Sequence, residues 1–215
     1  MAHDFSLNSG ERQTATRFEE IRADHRYRYE WADRILPAMT GGLDMFCGIG
    51  YGTWLLSHKR WCWGIDGSAE AIAAARRCYA RPSAQFAVLR WPFRLPAALF
   101  DFIVSLESVE HVSDGPAMFA AMAQALRPGG WLIYSAPNED LLPHAGMGNH
   151  FHFRHYTLGE TLALATTNGL TVEGWAGQDA FVMQGGRPVA HLPGDDQRLE
   201  TERPGQFTIA AARRA

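Results

Sequence analysis

Three glycines at alternate positions follow an aspartate and a short apolar run in Leu43-Asp44-Met45-Phe46-Cys47-Gly48-Ile49-Gly50-Tyr51-Gly52-Thr53. Glycine lets a chain turn sharply after a strand and lets a ligand lie against the main chain without meeting a Cβ. Asp66 stands 18 residues beyond Gly48, at the end of the apolar run 61–65. A carboxylate at the tip of the second strand, beside such a turn, is placed to accept hydrogen bonds from two ribose hydroxyls. The spacing departs from G-x-G-x-x-G, in which a pyrophosphate rests on a helix N-terminus, and Asp44 adds an acid upstream. A ligand with a cationic or ammonium group and no phosphates suits that combination.

Nine histidines supply candidates for proton transfer, because imidazole titrates near neutrality. His111 follows Glu110 after the apolar run 102–106, at the carboxyl edge of a sheet where α/β ligands bind. His150, His152 and His155 alternate with aromatic and basic residues in Asn149-His-Phe-His-Phe-Arg154-His-Tyr156. His152 or His111 is the expected base toward a hydroxyl group, with Arg154 orienting an anionic or polyhydroxyl substrate. His150 and His152 would share a face of an extended stretch, but no Cys or carboxylate sits at ligand spacing nearby, so no metal is expected.

These residues need elements to hold them. Apolar and aromatic residues at helical spacing over 11–36 (Phe18, Ile21, Tyr29, Ala32, Leu36) predict one leading helix ending before Pro37. Short apolar runs at 43–46, 61–65, 86–89, 102–106 and 131–135 predict strands buried on both faces. Helical patterns at 53–58, 68–79 and 116–126 alternate with them, so the pattern predicts βαβ crossovers and a parallel sheet covered on both faces. Thr157-Leu-Gly-Glu160 reads as a capping box that opens a last helix, which stops at Asn168-Gly169. Strands are expected at 171–176 and 206–212, with loop chemistry between 180 and 204. Asp114 and Asn138 read as cap and loop residues.

Composition narrows the class. The 215 residues are 47% hydrophobic and 20% charged, which excludes disorder and a coiled coil. Twenty Lys+Arg against 23 Asp+Glu give a net charge of −3, so nucleic acid is not an expected partner. No apolar run reaches the roughly 18 residues of a membrane-crossing helix, and no membrane partner is expected. MAHDFSLNSGERQ has neither a basic start nor an apolar core, so no secretory signal is expected. Cys47, Cys62 and Cys78 form no C-x-x-C pair, so free thiols and a cytoplasmic location are expected, with the oligomeric state left open.

The order of these motifs, over roughly residues 40–180, resembles the class I S-adenosylmethionine-dependent methyltransferases. The likeness extends to Asp101-Phe-Ile-Val-Ser-Leu-Glu-Ser-Val-Glu110-His111-Val, similar to the family's strand-four segment, and to Leu126-Arg-Pro-Gly-Gly-Trp-Leu-Ile-Tyr-Ser-Ala-Pro-Asn138, similar to its strand five. The resemblance implies a Rossmann-like, doubly wound α/β sheet of seven mostly parallel strands with an antiparallel last strand. That domain would span 41–215, behind an N-terminal helical lid at 1–40. It implies S-adenosylmethionine as cofactor, with Asp44 and Gly48 near the methionine part, Gly50 and Gly52 completing the turn, Asp66 on the ribose and Glu107 lining the pocket. Phe46 stands where the family's first glycine usually sits. Leu89-Arg90-Trp91 lacks the acid that many members place near adenine, which leaves Trp91 as an apolar wall.

Further likeness concerns the acceptor. Asp24-His25-Arg26-Tyr27-Arg28-Tyr29-Glu30-Trp31-Ala32 resembles the H-x-x-R-Y-x-aromatic-Ala helix of bacterial methyltransferases encoded beside glycosyltransferases. Residues 149–157 resemble their N-P-F-H-x-R-E-Y-T loop, with His150 for Pro and His155 for Glu, and Gly177-Gln178 is similar to the G-Q after their sixth strand. By this likeness His25, Arg28, Tyr29, His152, Arg154 and Gln178 would gather over the cofactor, and the acceptor would be a small molecule bearing a sugar or secondary-metabolite hydroxyl. A carbon methyltransferase acting on a quinone-like ring and a degenerate binding module are the alternatives. Asp44-Met-Phe-Cys-Gly-Ile-Gly also looks like the opening motif of DNA cytosine methyltransferases, but the cysteines here follow Phe46, Trp61 and Arg77, and the Pro-Cys nucleophile is missing.

Overall fold

The structure is a computed structural model that describes residues 6, 7 and 12–215. A central sheet runs through it, built from β1 (Gly41–Met45), β2 (Trp61–Asp66), β3 (Ala84–Val88), β4 (Phe100–Ser105), β5 (Leu126–Pro137), β6 (Leu170–Gln178), β9 (Glu200–Thr201) and β10 (Phe207–Arg214). The strand order is β3-β2-β1-β4-β5-β10-β6-β9. β1 is parallel to β2 and β4, whereas β10 is antiparallel to both β5 and β6. Strand order therefore reverses between β1 and β4, and a crevice opens there at the carboxyl ends of the strands. The expected seven strands are present, and the two-residue β9 adds an eighth at the edge against β6.

Alternation along the buried strands supplies both cores. Phe102 and Val104 of β4 face a layer with Leu56, Ile72 and Ala32, from α2 (Tyr51–Leu56), α3 (Ala69–Cys78) and α1 (Ala23–Ile35). Ile103 of β4 and Leu43 and Met45 of β1 face the other layer. That layer holds Met118, Phe119 and Met122 of α4 (Gly115–Ala125) and Leu164 of α6 (Leu158–Thr166). Local chemistry sets the helix starts. Ser68 accepts from Ala71 N–H at 3.2 Å, Asp114 accepts from Ala117 N–H at 3.0 Å, and Thr157 with Glu160 forms a complete capping box.

Two expectations change. The leading helix covers only Ala23–Ile35, after a short 3-10 turn at Phe18–Glu20; Thr14 and Thr16, β-branched and poor helix formers, stand in the non-helical stretch before it. Glu11 lies outside the described residues. The segment 180–204, expected as loop, contains a hairpin of β7 (Phe181–Gln184) and β8 (Arg187–His191) and a 3-10 turn at Gly194–Gln197. Gly185 and Gly186 both have positive φ (57° and 75°), the requirement of a tight two-residue hairpin turn. Among the described residues, no helix is long and apolar enough to cross a membrane.

Candidate active site

A cavity of about 320 Å³ lies over the crevice. Gly48, Asp66, Trp91, Glu107, His111 and His152 line it from the sheet side, and His25, Arg28 and Tyr29 line it from α1. The fold thus brings together nine of the residues singled out from sequence.

The turn after β1 draws a non-glycine residue into left-handed backbone. Phe46 and Gly48 both adopt left-handed backbone, with φ of 60° and 55°. Phe46 therefore takes the left-handed turn geometry in spite of its Cβ, a local strain of the kind that gathers at functional sites. Glu107, at the end of β4, is a second strained residue on the same cavity, with φ 48°. Its side-chain oxygen accepts from Ser135 Oγ at 2.6 Å, and Ser135 Oγ in turn accepts from Glu107 N–H at 2.9 Å, which fixes the carboxylate at the strand tip.

Asp66 is held by its neighbours as the strand-tip acid requires. Its Oδ2 accepts from Gly48 N–H at 3.0 Å, and its Oδ1 accepts from Ser68 N–H at 2.8 Å. Arg12 Nη2 reaches Oδ1 at 3.3 Å from the segment ahead of α1, a partner that sequence alone gave no reason to expect.

Asp44 is placed differently from its expected position near the methionine part. Strand alternation turns it into the α1–α2 layer, where it is fully buried and does not line the cavity. It accepts from Tyr29 Oη at 3.0 Å and Thr53 Oγ1 at 2.6 Å. Burial pushes its pKa up to about 7 against the pull of those two hydrogen bonds. Gly50 and Gly52 also lie off the cavity lining: a Cβ on Gly52 would meet the Tyr29 ring at 2.0 Å, so this glycine serves helix packing.

Arg28 is 2% exposed, donates from Nε to Gln178 Oε1 at 2.6 Å and stacks 4.3 Å over the Phe207 ring. Its Nη2 has no hydrogen-bond partner among the described residues, with Asp24 Oδ2 3.6 Å away. Gln178 is buried behind the cavity and does not line it; its Nε2 donates to Asp24 O at 3.1 Å and Gln197 O at 2.6 Å. Arg154 also lies off the cavity, paired with Glu160 at 2.7 Å. Its place at the start of α6 follows from the capping box, whose Glu160 it joins. His25 is held neutral: burial pulls its pKa down to about 3, Arg22 donates to Nε2 at 2.9 Å, and Nδ1 meets Tyr51 Oη at 3.0 Å.

At the opposite wall, the rings of His111 and His152 meet edge to face with centroids 4.6 Å apart. His155 is buried behind them, and burial pulls its pKa down to about 4. Its Nδ1 lies 2.6 Å from Leu142 O, so Nδ1 carries the proton and Nε2 is an acceptor. His152 Nδ1 lies 2.8 Å from that Nε2 and must donate to it. This chain of hydrogen bonds sets the His152 tautomer and leaves Nε2 as its lone-pair nitrogen. Aromatic residues missed by the sequence reading, Phe151, Phe181 and Phe207, close the cavity from late segments whose order in space only the fold reveals.

A strand-tip carboxylate, a buried guanidinium nitrogen without a hydrogen bond and an acid at Glu107 complement ribose hydroxyls, a carboxylate and an ammonium group. A family model described as a methyltransferase domain matches residues 23–173. The chain belongs to the S-adenosylmethionine-dependent methyltransferases. A probable S-adenosylmethionine-dependent methyltransferase of Mycolicibacterium smegmatis is 31% identical over 175 residues, 73% of this chain and 68% of that protein. A ubiquinone biosynthesis O-methyltransferase of Bordetella avium is 24% identical over 189 residues, 75% of this chain and 76% of that protein. Among solved structures, an S-adenosylmethionine-dependent methyltransferase from Mesorhizobium loti superimposes with a TM-score of 0.64 at 20% identity, covering 86% of this chain and 98% of the other. The N-methyltransferase NodS from Bradyrhizobium japonicum, in complex with S-adenosyl-L-homocysteine, does so with a TM-score of 0.66 at 19% identity, covering 91% and 89%. This methyltransferase therefore uses S-adenosylmethionine as its cofactor, and its fold is the one the motif order implied.

Proposed function

We propose that this methyltransferase acts on a hydroxyl oxygen of a small molecule, of the sugar or secondary-metabolite kind, within the cavity over β1, β2 and β4. When bound, S-adenosylmethionine supplies an electrophilic methyl group on a sulfonium sulfur. Asp66 accepts from the ribose hydroxyls, Arg28 takes the methionyl carboxylate on Nη2, Glu107 faces the ammonium group, and Trp91 walls the adenine. The segment at 1–40 acts as the lid, since Arg12, His25, Arg28 and Tyr29 reach the cavity from it. Asp44, expected beside the methionine part, supports the turn from below through Tyr29 and Thr53.

The observation that carries the hydroxyl reading is the His111–His152 pair. Two imidazoles converge on the cavity wall, one with its tautomer fixed by His155. A hydroxyl must shed its proton as the new bond forms, and lone-pair nitrogens are what its activation needs. Holding donor and acceptor in line supplies much of the remaining acceleration.

A second reading takes a hydroxylated aromatic ring as acceptor. It is favoured by Phe151, Phe181 and Phe207 on the cavity wall and by the relatives named as ubiquinone biosynthesis O-methyltransferases. The test is transfer of labelled methyl from S-adenosylmethionine to panels of glycosides, hydroxylated metabolites and catechol-like rings, with the methylated atom located by NMR. Oxygen methylation of a glycoside supports the first reading, and of a ring the second. Methylation at carbon, or no binding of S-adenosyl-L-homocysteine in calorimetry, overturns both.

A further inference from the structure

We infer that Glu110, His111 and His152 form a site for a divalent transition-metal ion of the zinc class, open toward the cavity at the acceptor's oxygen. The inference rests on the hydroxyl reading above and specifies how its two imidazoles act: as ligands to an ion that acidifies the bound oxygen.

One ligand atom from each of the three residues lies within 4.8 Å of the other two. Tetrahedral zinc with bonds of about 2.0–2.2 Å sets its ligand atoms about 3.3–3.6 Å apart, so side-chain rotations that bring the widest pair closer by a little over an ångström gather the three around one ion. The residues come from two segments that are pinned to each other. Val109–His111 forms a 3-10 turn after β4, and Phe153 N–H, next to His152, donates to Glu110 C=O at 2.7 Å. That bond sets the 149–156 loop in register with the turn, and His111 Nε2 lies 3.9 Å from Glu110 Oε1.

The chemistry of the set is selective. Two imidazoles and one carboxylate are the donors of catalytic zinc sites, in which three protein ligands leave further positions open. The Leu142–His155–His152 hydrogen-bond chain fixes the tautomer of a ligating histidine from behind, the usual arrangement for an imidazole on a metal. Glu110 is fully buried, and a metal ion is one of the partners that offset the cost of burying a carboxylate. All three residues line the cavity, so an ion there meets the acceptor directly. Bound to it, a hydroxyl loses its proton to solvent water near neutral pH, and the resulting oxyanion is the stronger nucleophile. Sequence spacing does not display this set, because Glu110 and His111 arrive from the end of β4 and His152 from a loop far along the chain.

The test uses the full chain, freed of metal by a chelator, titrated with Co²⁺ under visible absorption and with Zn²⁺ in calorimetry. One equivalent of Co²⁺ should give d–d bands that Zn²⁺ abolishes. Glu110→Gln and His152→Ala should each weaken Zn²⁺ affinity roughly tenfold or more, while His144→Ala and His150→Ala leave it unchanged. S-adenosyl-L-homocysteine binding, measured alongside, reports that each variant is folded. Absent bands, bands that survive in both ligand variants, or full methyl transfer by the metal-free enzyme overturn the metal site and leave the hydroxyl reading standing. Stoichiometric Co²⁺ binding with no methylated oxygen on any acceptor overturns the hydroxyl reading instead.

Discussion

Two aspartates on neighbouring strands, Asp44 and Asp66, diverge in role because alternation turns the first into the helix layer while the second ends its strand at the crevice. Replacing Asp66 with alanine removes acceptors for charged hydrogen bonds, and cofactor affinity is expected to fall by about 1.5–3 kcal/mol. Calorimetric titration with S-adenosyl-L-homocysteine checks this, and unchanged affinity removes Asp66 from the ribose. Asp44 has a different signature. Its pKa rises from 3.8 in the unfolded chain to about 7 in the fold, mainly through burial. Between those values the native state keeps a proton that the unfolded state has released, so the Asp44 contribution to stability is whole below pH 3.8 and is lost as pH rises through about 7. Asp44→Asn stays neutral throughout. Its Tm should change less than that of the natural protein across this window, and two parallel Tm curves would contradict the assignment.

Elements were legible where a local rule dictates them. The Thr157-x-x-Glu160 box, the Ser68 and Asp114 caps and the buried β-runs each need only neighbouring residues, and all are present. The β7–β8 hairpin does not show in composition, which makes Gly185-Gly186 loop chemistry, although two consecutive glycines are also a hairpin turn signal. Gly52 shows a subtler limit. Spacing assigned it to the cofactor turn, yet what demands glycine there is the Tyr29 ring of α1 at 2.0 Å from any Cβ. Gly52→Ala should therefore separate α1 from α2 and cost about 1–3 kcal/mol in denaturant unfolding. Gly174→Ala, where an added methyl meets open space, serves as the neutral control. Equal midpoints for the two variants would show that the α1–α2 contact does not depend on this glycine.

At the scale of the whole molecule, the cavity is assembled from segments far apart in the chain, and this is why its floor was readable and its closure was not. The glycine turn and Asp66 follow from strand order and Glu107 from the family resemblance, whereas the relation of α1 to residues 178–207 requires the fold. Gln178 marks that relation. Its side chain accepts from Arg28, donates to the carbonyls of Asp24 and Gln197, and is fully buried. Gln197 in turn accepts from Asp24 N–H at 2.9 Å and donates to Leu192 O at 2.6 Å, at the end of the hairpin. One amide thus joins the leading helix, the last parallel strand and the segment that follows the hairpin. Gln178→Met keeps the volume and removes both the acceptor and the donors, leaving Arg28 Nε and the buried Gln197 carbonyl unsatisfied, while the Asp24 carbonyl keeps its bond within α1. Each such orphan costs about 1–3 kcal/mol, so Tm should drop, and Arg28, released from its anchor, should hold the cofactor's carboxylate less well. Gln178→Glu retains the acceptor and is expected to recover more cofactor affinity than stability. If Gln178→Met lowers Tm and leaves S-adenosyl-L-homocysteine affinity untouched, the network is a clasp for the fold alone, and Arg28 has no part in the cofactor site.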